Sequence, residues 1–374
     1  MHNRLWVWFL WVGPVLFLWI IGGKWKRSEK STVELSYSFP LSSAYLLITT
    51  PQNTISWHLI QLLQPATVYV AYPPSEEQQF LSVLQRHPTL NIRGCHFDSM
   101  SDSGTIRKQT RSCLDTFPSP LNGVVFNAYG VVGDGTLNQH ANFVSHKLLG
   151  NLALLHLLLD DGALQENARI LFVGSESARG LPKMGFSVPN LGTSIESIQA
   201  HLTGSIYSSS SSASSSNSVT ETVTPYRWEQ AYGDLCAILV LYIKYLAKLY
   251  PQYYFGVISP GMTEESLQPH NVPDPSWTWR FQLWMYRTIL FPWLQRAEIA
   301  KTSYDGARLL ARGLVMEDWE YPSGTFVGAK SGTGGPICDQ SILEGGKMFR
   351  NAQLQELAYK AVQPYIPKIM NGDE

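Results

Sequence analysis

From residue 43 onward the chain alternates between two apolar patterns. Short apolar runs recur at Tyr45–Thr49, Thr67–Tyr72, Leu90–Phe97, Gly123–Ala128, Ala168–Val173 and Tyr253–Ser259. Several are continuous rather than alternating, the pattern of parallel strands buried on both faces. Between them, apolar positions return at helical spacing over Trp57–Leu63, Glu76–Arg86, Gly104–Leu114, His140–Leu159 and Trp228–Tyr250. Alternation of strand and crossover helix predicts an α/β protein with a doubly wound, Rossmann-like parallel sheet. The ligand crevice of such a sheet lies at the carboxyl ends of its strands. No internal repeat is present.

Two stretches stand outside the alternation. Ser205–Ser218 (SIYSSSSSASSSNS) has almost nothing to bury and predicts a flexible surface insertion. Leu5–Ile21 (LWVWFLWVGPVLFLWII) carries no charge. As a helix it would span roughly 25 Å, slightly less than a bilayer's hydrocarbon core. Trp6, Trp8, Trp19 and Trp25 lie near its ends, where interfacial rings prefer to sit. Arg4 precedes the run and Lys24, Lys26 and Arg27 follow it, which places the body on the cytosolic side. A cleaved signal peptide is the competing reading, but no small-residue cleavage site follows the run. The expected organisation is a membrane anchor with basic flank at 1–27 and a linker at 28–42. A single Rossmann-like domain follows at 43–365, with a tail at 366–374. Within the domain lie the insertion 205–218 and an aromatic lobe at 276–296.

Composition sharpens this picture at three points. Charged residues make up 15% of the 374, against roughly a quarter in ordinary soluble domains. Together with 12 Trp and 15 Phe, that favours a protein that touches lipid or a greasy ligand. A net charge of −1 with no basic block argues against nucleic acid. The four cysteines, Cys95, Cys113, Cys236 and Cys338, form no C-x-x-C and no zinc-ligand spacing with histidine, so no metal site is expected. They read as isolated thiols, consistent with a reducing, cytosol-facing body at a membrane such as the endoplasmic reticulum.

Several segments then line up in order: FDSMSD (Phe97–Asp102), VFNAYG (Val125–Gly130), KLLGNLALLHLLLDD (Lys147–Asp161), ARILFVGS (Ala168–Ser175), AYGDLC (Ala231–Cys236) and SPGMT (Ser259–Thr263). In this order they resemble the short-chain dehydrogenase/reductase family across residues 43–365. Within it they look most like protochlorophyllide reductases and membrane-anchored retinol-dehydrogenase-like members. The tail adds LFPWLQ (Leu290–Gln295), SGTFVG (Ser323–Gly328) and an amphipathic stretch near Asn351–Val362.

The resemblance implies an NAD(P) cofactor across the strand ends. It puts Asp98 near the adenine, Asn127 and Gly130 in the turn after the fourth strand, and Pro260, Gly261 and Thr263 beside the nicotinamide. It makes Ser175 the group that hydrogen-bonds the substrate oxygen and Tyr232 the group that handles its proton. Each has a plainer reading: a helix cap for Asp98, turn-permitting glycines, and a core tyrosine at 232.

The sequence departs from the family at three points. The glycine-rich turn is replaced by Thr49-Thr50-Pro51-Gln52-Asn53-Thr54-Ile55-Ser56, leaving Thr50 and Ile55 as its cofactor positions. The family's Lys, four residues after the Tyr, is Cys236, which cannot supply a fixed cation. The family's Asn on the preceding helix maps to Lys147, which could return an ammonium from a neighbouring helix; an ordinary surface lysine is the alternative. No residue after the second strand signals NAD or NADP. Trp277–Leu294 (WTWRFQLWMYRTILFPWL) reads as a lid over a lipophilic ligand, a surface dipping into the membrane, or a helix packed in the core. Two functions are compatible with these features: a membrane-anchored oxidoreductase acting on a lipophilic carbonyl, olefin or alcohol, or a catalytically silent member that binds a hydrophobic ligand or a protein partner.

Overall fold

The computed structural model describes residues 38, 40–49, 54–97, 103–117, 120–127, 140–141, 143–182, 186–208, 228–263, 277, 284–297 and 299–366. All of them belong to one compact unit, Ser36–Glu374. Thr50, Asp98, Gly130, the apolar run Leu5–Ile21 and most of the serine-rich insertion lie outside the described residues. No helix among the described residues is long and apolar enough to cross a membrane.

Eight strands form one sheet in the order β3-β2-β1-β4-β5-β6-β7-β8. They are β1 Tyr45–Thr49, β2 Thr67–Tyr72, β3 Ile92–His96, β4 Leu121–Phe126, β5 Leu164–Val173, β6 Tyr254–Ile258, β7 Thr325–Ala329 and β8 Ile337–Asp339. β1 to β7 pair in parallel and β8 closes the edge antiparallel to β7. The predicted doubly wound sheet is therefore present. The strand order reverses between β1 and β4, which is where such sheets open a ligand crevice.

Alternate side chains of each central strand enter two separate cores. Leu46 and Ile48 of β1 join one and Leu47 the other; Val125 of β4 opposes Val124 and Phe126. Every one of these is buried, so the continuous apolar runs reflect a sheet covered on both faces. One face is covered by α1 Thr54–Leu62 and α8 Ser303–Val315. The other is covered by α4 Gly150–Asp160, α5 Ile195–Thr203, α6 Trp228–Leu249 and α9 Ala352–Val362. α2 Glu77–Arg86 and α3 Ser103–Leu114 complete the crossovers near β3, and α7 Phe291–Arg296 precedes α8. Polar caps start several helices: the Thr302 side chain accepts from the Asp305 N–H, and Asn351 accepts from Gln353 and Leu354.

Two expectations need correction. Cys95 and Cys113 are not isolated thiols: β3 and α3 bring their Cα atoms to 5.4 Å and the two form a disulfide. A separation of 18 carries no motif, so only the tertiary packing reveals the pair. Disulfides persist in oxidising compartments, so the cysteines no longer support a reducing surrounding. Second, the first residues of the serine-rich stretch are ordered, Ser205–Ser208 forming a helical turn after α5. Of the three readings of the aromatic lobe, the helix packed in the core does not fit its described residues. Trp284, Ile289 and Leu290 are exposed, as is Trp277, while Phe291 is buried.

Candidate active site

The crevice is built from the segments that leave the carboxyl ends of the strands. At the switch point, Thr49 ends β1 and Asn127 comes directly after β4. The Asn127 backbone N–H donates to Thr49 Oγ1 at 3.0 Å, and its Nδ2 donates to Ser56 Oγ in the first turn of α1 at 2.9 Å. All three residues are buried. Asn127 thus ties two strand ends to a helix N-terminus, the part of the fold where backbone N–H groups favour an anion. Ile55, beside Ser56, is a core residue: Gly306 of α8 comes so close that a Cβ there would stand 2.9 Å from Pro260 Cβ and 3.7 Å from Ile55 Cδ1.

After β5 the chain turns sharply through Ser175 into a 3-10 turn, Glu176–Arg179. Ser175 caps that turn, accepting from the Ser177 N–H, and Ser177 Oγ donates to Ser175 Oγ at 2.9 Å. α6 packs directly on this turn. A Cβ at Gly233 would lie 3.0 Å from the Ser177 carbonyl oxygen, so glycine lets the neighbouring Tyr232 and Cys236 approach. Both are buried, and both the Ser177 and Tyr232 hydroxyls interact with the Cys236 thiol. Burial pushes that thiol up to about 12, so Cys236 is neutral at physiological pH.

The structure therefore assembles Ser175, Ser177, Cys236 and Tyr232 into one cluster, as the two mapped positions required. Ser177, not singled out from the sequence, is the serine in contact with Cys236. The S-x-S spelling made two serines available, and only the turn geometry tells them apart. Lys147 lies in a π-helical stretch, Phe143–Leu149, a local irregularity that recurs at functional sites. Its side chain is not among those described.

The third wall lies after β6. Gly261 adopts φ +82°, and a Cβ there would meet the Thr333 carbonyl oxygen at 2.9 Å. The loop is held from both sides: Met262 N–H donates to Thr333 O at 3.2 Å and Lys301 N–H to Met262 O at 2.8 Å. Thr263 is fully buried. Behind the loop sits a network that the sequence did not announce. The Glu176 carboxylate accepts from Ser259 Oγ and, at 3.0 Å, from the Ala329 N–H, while Ser259 Oγ accepts from the Gly261 N–H at 3.3 Å. Burial raises the Glu176 pKa; its hydrogen bonds and the nearby Lys301 ammonium oppose that shift. Arg179 flanks it, donating from Nε to Gln340 Oε1 at 2.8 Å. Glu176 thereby links the turn carrying Ser177 to the Pro260–Gly261 loop.

In chemical terms the cluster offers hydroxyl groups and a phenol that can orient and protonate an oxygen. The Asn127–Ser56 corner and the Pro260–Thr263 loop offer polar atoms at the two places where a dinucleotide crosses such a sheet. These residues fit a nicotinamide dinucleotide. No group of three His, Cys, Asp or Glu among the described residues could hold a metal ion.

The sequence matches no protein-family model and no curated relative. Solved structures do share its fold. Salutaridine reductase from Papaver somniferum is similar at a TM-score of 0.53 and 15% identity, over 76% of this chain and 99% of its own. A short-chain dehydrogenase/reductase from Serratia marcescens gives 0.52 at 13%, over 79% and 99%. A short-chain oxidoreductase from Pseudomonas aeruginosa with an atypical catalytic centre gives 0.51 at 14%, over 79% and 98%. At these identities the likeness is one of fold: the described domain has the architecture of the short-chain dehydrogenase/reductases.

Proposed function

We propose that the protein is a membrane-anchored NAD(P)-dependent oxidoreductase acting on a lipophilic carbonyl, olefin or alcohol. The observation that carries this reading is the Ser175–Ser177–Cys236–Tyr232 cluster at the carboxyl end of β5, facing the side of the sheet where Pro260–Gly261 succeeds β6. Asn127, Pro260, Gly261 and Thr263 would hold the cofactor, and a bound nicotinamide dinucleotide supplies or accepts hydride. Tyr232 gives or takes the proton at the substrate oxygen, and Ser175, which accepts from Ser177 and keeps its own O–H to donate, hydrogen-bonds that oxygen. Cys236 adds no charge, so the Tyr232 phenol works without the usual neighbouring cation, and turnover is slow.

The exposed Trp284, Ile289 and Leu290 support a lipophilic substrate or a membrane-facing lobe, and Leu5–Ile21 is the proposed anchor. The endoplasmic reticulum is the proposed membrane. The basic flank favours a cytosolic body and the Cys95–Cys113 bond a lumenal one, and protease protection of sealed microsomes separates the two.

The test is turnover. Full-length protein in detergent is incubated with NADPH or NADH and a panel of apolar aldehydes, ketones and enones. Tyr232→Phe and Ser175→Ala should each lower any turnover by about 10²-fold or more. Turnover unaffected by Tyr232→Phe would remove the assigned site, and none with any pair would leave the silent, ligand-binding alternative.

A further inference from the structure

The opposite end of the sheet carries a second polar concavity. A groove of about 500 Å³ opens at the amino ends of β4, β5 and β6, far along the strands from the Tyr232 cluster. Its wall is an irregularity in β5. Leu164 pairs with Leu121 and Arg169 with Gly123, so five residues of β5 advance against two of β4. Three residues are extra, and Asn167 among them takes φ +66°, a strained setting for a residue with a side chain. Bulges of this kind re-aim side chains and recur beside functional sites.

The bulge presents donors. Tyr45 N–H donates to Asn122 Oδ1 at 2.9 Å, which fixes the Asn122 amide so that its Nδ2 donates to Gln165 Oε1 at 2.7 Å. With its oxygen used, Gln165 offers its NH₂ to the groove. Arg169 is half-buried. It uses Nη1 to reach the Gly313 carbonyl at 3.0 Å and lies over the Tyr254 ring at 5.3 Å. No carboxylate among the described residues pairs with it. Burial lowers its pKa, with Tyr254 the opposing influence. A guanidinium removed from water without an anion is unfavourable, and arginine's planar fork is matched to oxyanions. Glu166 is the one carboxylate lining the groove among the described residues, and it is exposed to solvent.

We propose that this groove binds a phosphate group through the Arg169 guanidinium and the Gln165 side-chain amide, the Asn167 N–H being taken by the Gln252 carbonyl at 3.0 Å. Several donors from one bulge suit a phosphomonoester's oxygens better than the two of a carboxylate. The phosphate belongs either to a soluble metabolite or to an anionic lipid headgroup. Ser38 lines the same groove.

Full-length protein in micelles is titrated calorimetrically with inorganic phosphate. It is also co-sedimented with phosphatidylcholine vesicles with and without phosphatidic acid. Saturable phosphate binding, weakened at least about tenfold by both Arg169→Met and Gln165→Met, supports the site. Binding that depends on Arg169 and appears only with phosphatidic acid vesicles supports it and assigns the headgroup as source. No binding of either probe, or binding that Arg169→Met and Gln165→Met leave unchanged, overturns it. If Arg169→Met fails to fold by circular dichroism, Gln165→Met decides alone. Neither residue touches the Tyr232 cluster, so this test stands or fails apart from the oxidoreductase reading.

Discussion

Replacing Glu176 probes the buried link between the Ser177 turn and the Pro260–Gly261 loop. Its carboxylate takes hydrogen bonds from Ser259 Oγ and the Ala329 N–H, and both donors are buried. Glu176→Ala strands both, at about 1–3 kcal/mol each, so urea unfolding should show a loss of roughly 2–6 kcal/mol. Glu176→Gln keeps the shape, accepts from the Ala329 N–H through its oxygen, can donate its NH₂ to Ser259 Oγ in place of accepting, and removes the ionisation. The pH dependence then separates the two roles. Burial raises the folded-state pKa of Glu176 above its unfolded value. The native state therefore retains a proton that the unfolded chain releases. The associated stability is complete below the unfolded pKa, near the usual carboxylate range, and is lost as pH rises through the folded pKa. Unfolding followed by tryptophan fluorescence from about pH 5 to about pH 9 should show the Gln variant gaining on the wild type as pH rises. Parallel pH profiles for the two proteins would refute the reasoning. Because Ser259 also holds the Gly261 N–H, Glu176→Ala should weaken nicotinamide cofactor binding as well.

Other consequences are more local. Cys236→Lys places an ammonium one helical turn from Tyr232, about 6 Å away. At an effective dielectric of about 20 that is worth roughly 2–3 kcal/mol, or about two pK units on the phenol. The alkaline limb of the pH–rate profile should move down accordingly, and an unmoved limb would detach Cys236 from Tyr232. Gly261→Ala forces a Cβ onto the Thr333 carbonyl at φ +82° and should cost about 1–3 kcal/mol in thermal unfolding, with weaker cofactor binding. Cys95→Ser opens an 18-residue separation and should lower stability by about 2–4 kcal/mol under oxidising conditions, with no change under reductant.

The sequence carried the sheet more clearly than the site. β1 and β2 fall on the runs read from hydrophobicity, because strands buried on both faces leave an unbroken apolar signal. The start of β5 carries no apolar run, because Gln165, Glu166 and Asn167 are polar residues of a bulge. β8 is too short and polar to register, and the apolar runs and helical stretches named from the sequence do not include β7 or α8, although each packs into a core. In the site, Tyr232 and Cys236 are legible only through the resemblance to the short-chain dehydrogenase/reductases, since helical spacing alone reads Tyr232 as a core residue. Ser177 is not legible, because two residues from Ser175 either serine could face α6, and the choice lies in the turn. Glu176 gave no signal at all: a carboxylate beside serines reads as surface until Ser259 and Ala329 close over it.

The central claim is that a dinucleotide still seats between the Asn127–Ser56 corner and the Pro260–Thr263 loop despite the lost glycines. Calorimetric titration of full-length protein with NADPH and with NADH tests it most directly, with Asn127→Leu as the control. We expect saturable binding of at least one cofactor, weakened about tenfold or more in the variant. No heat from either cofactor at millimolar concentration, or equal binding by Asn127→Leu, would contradict the account.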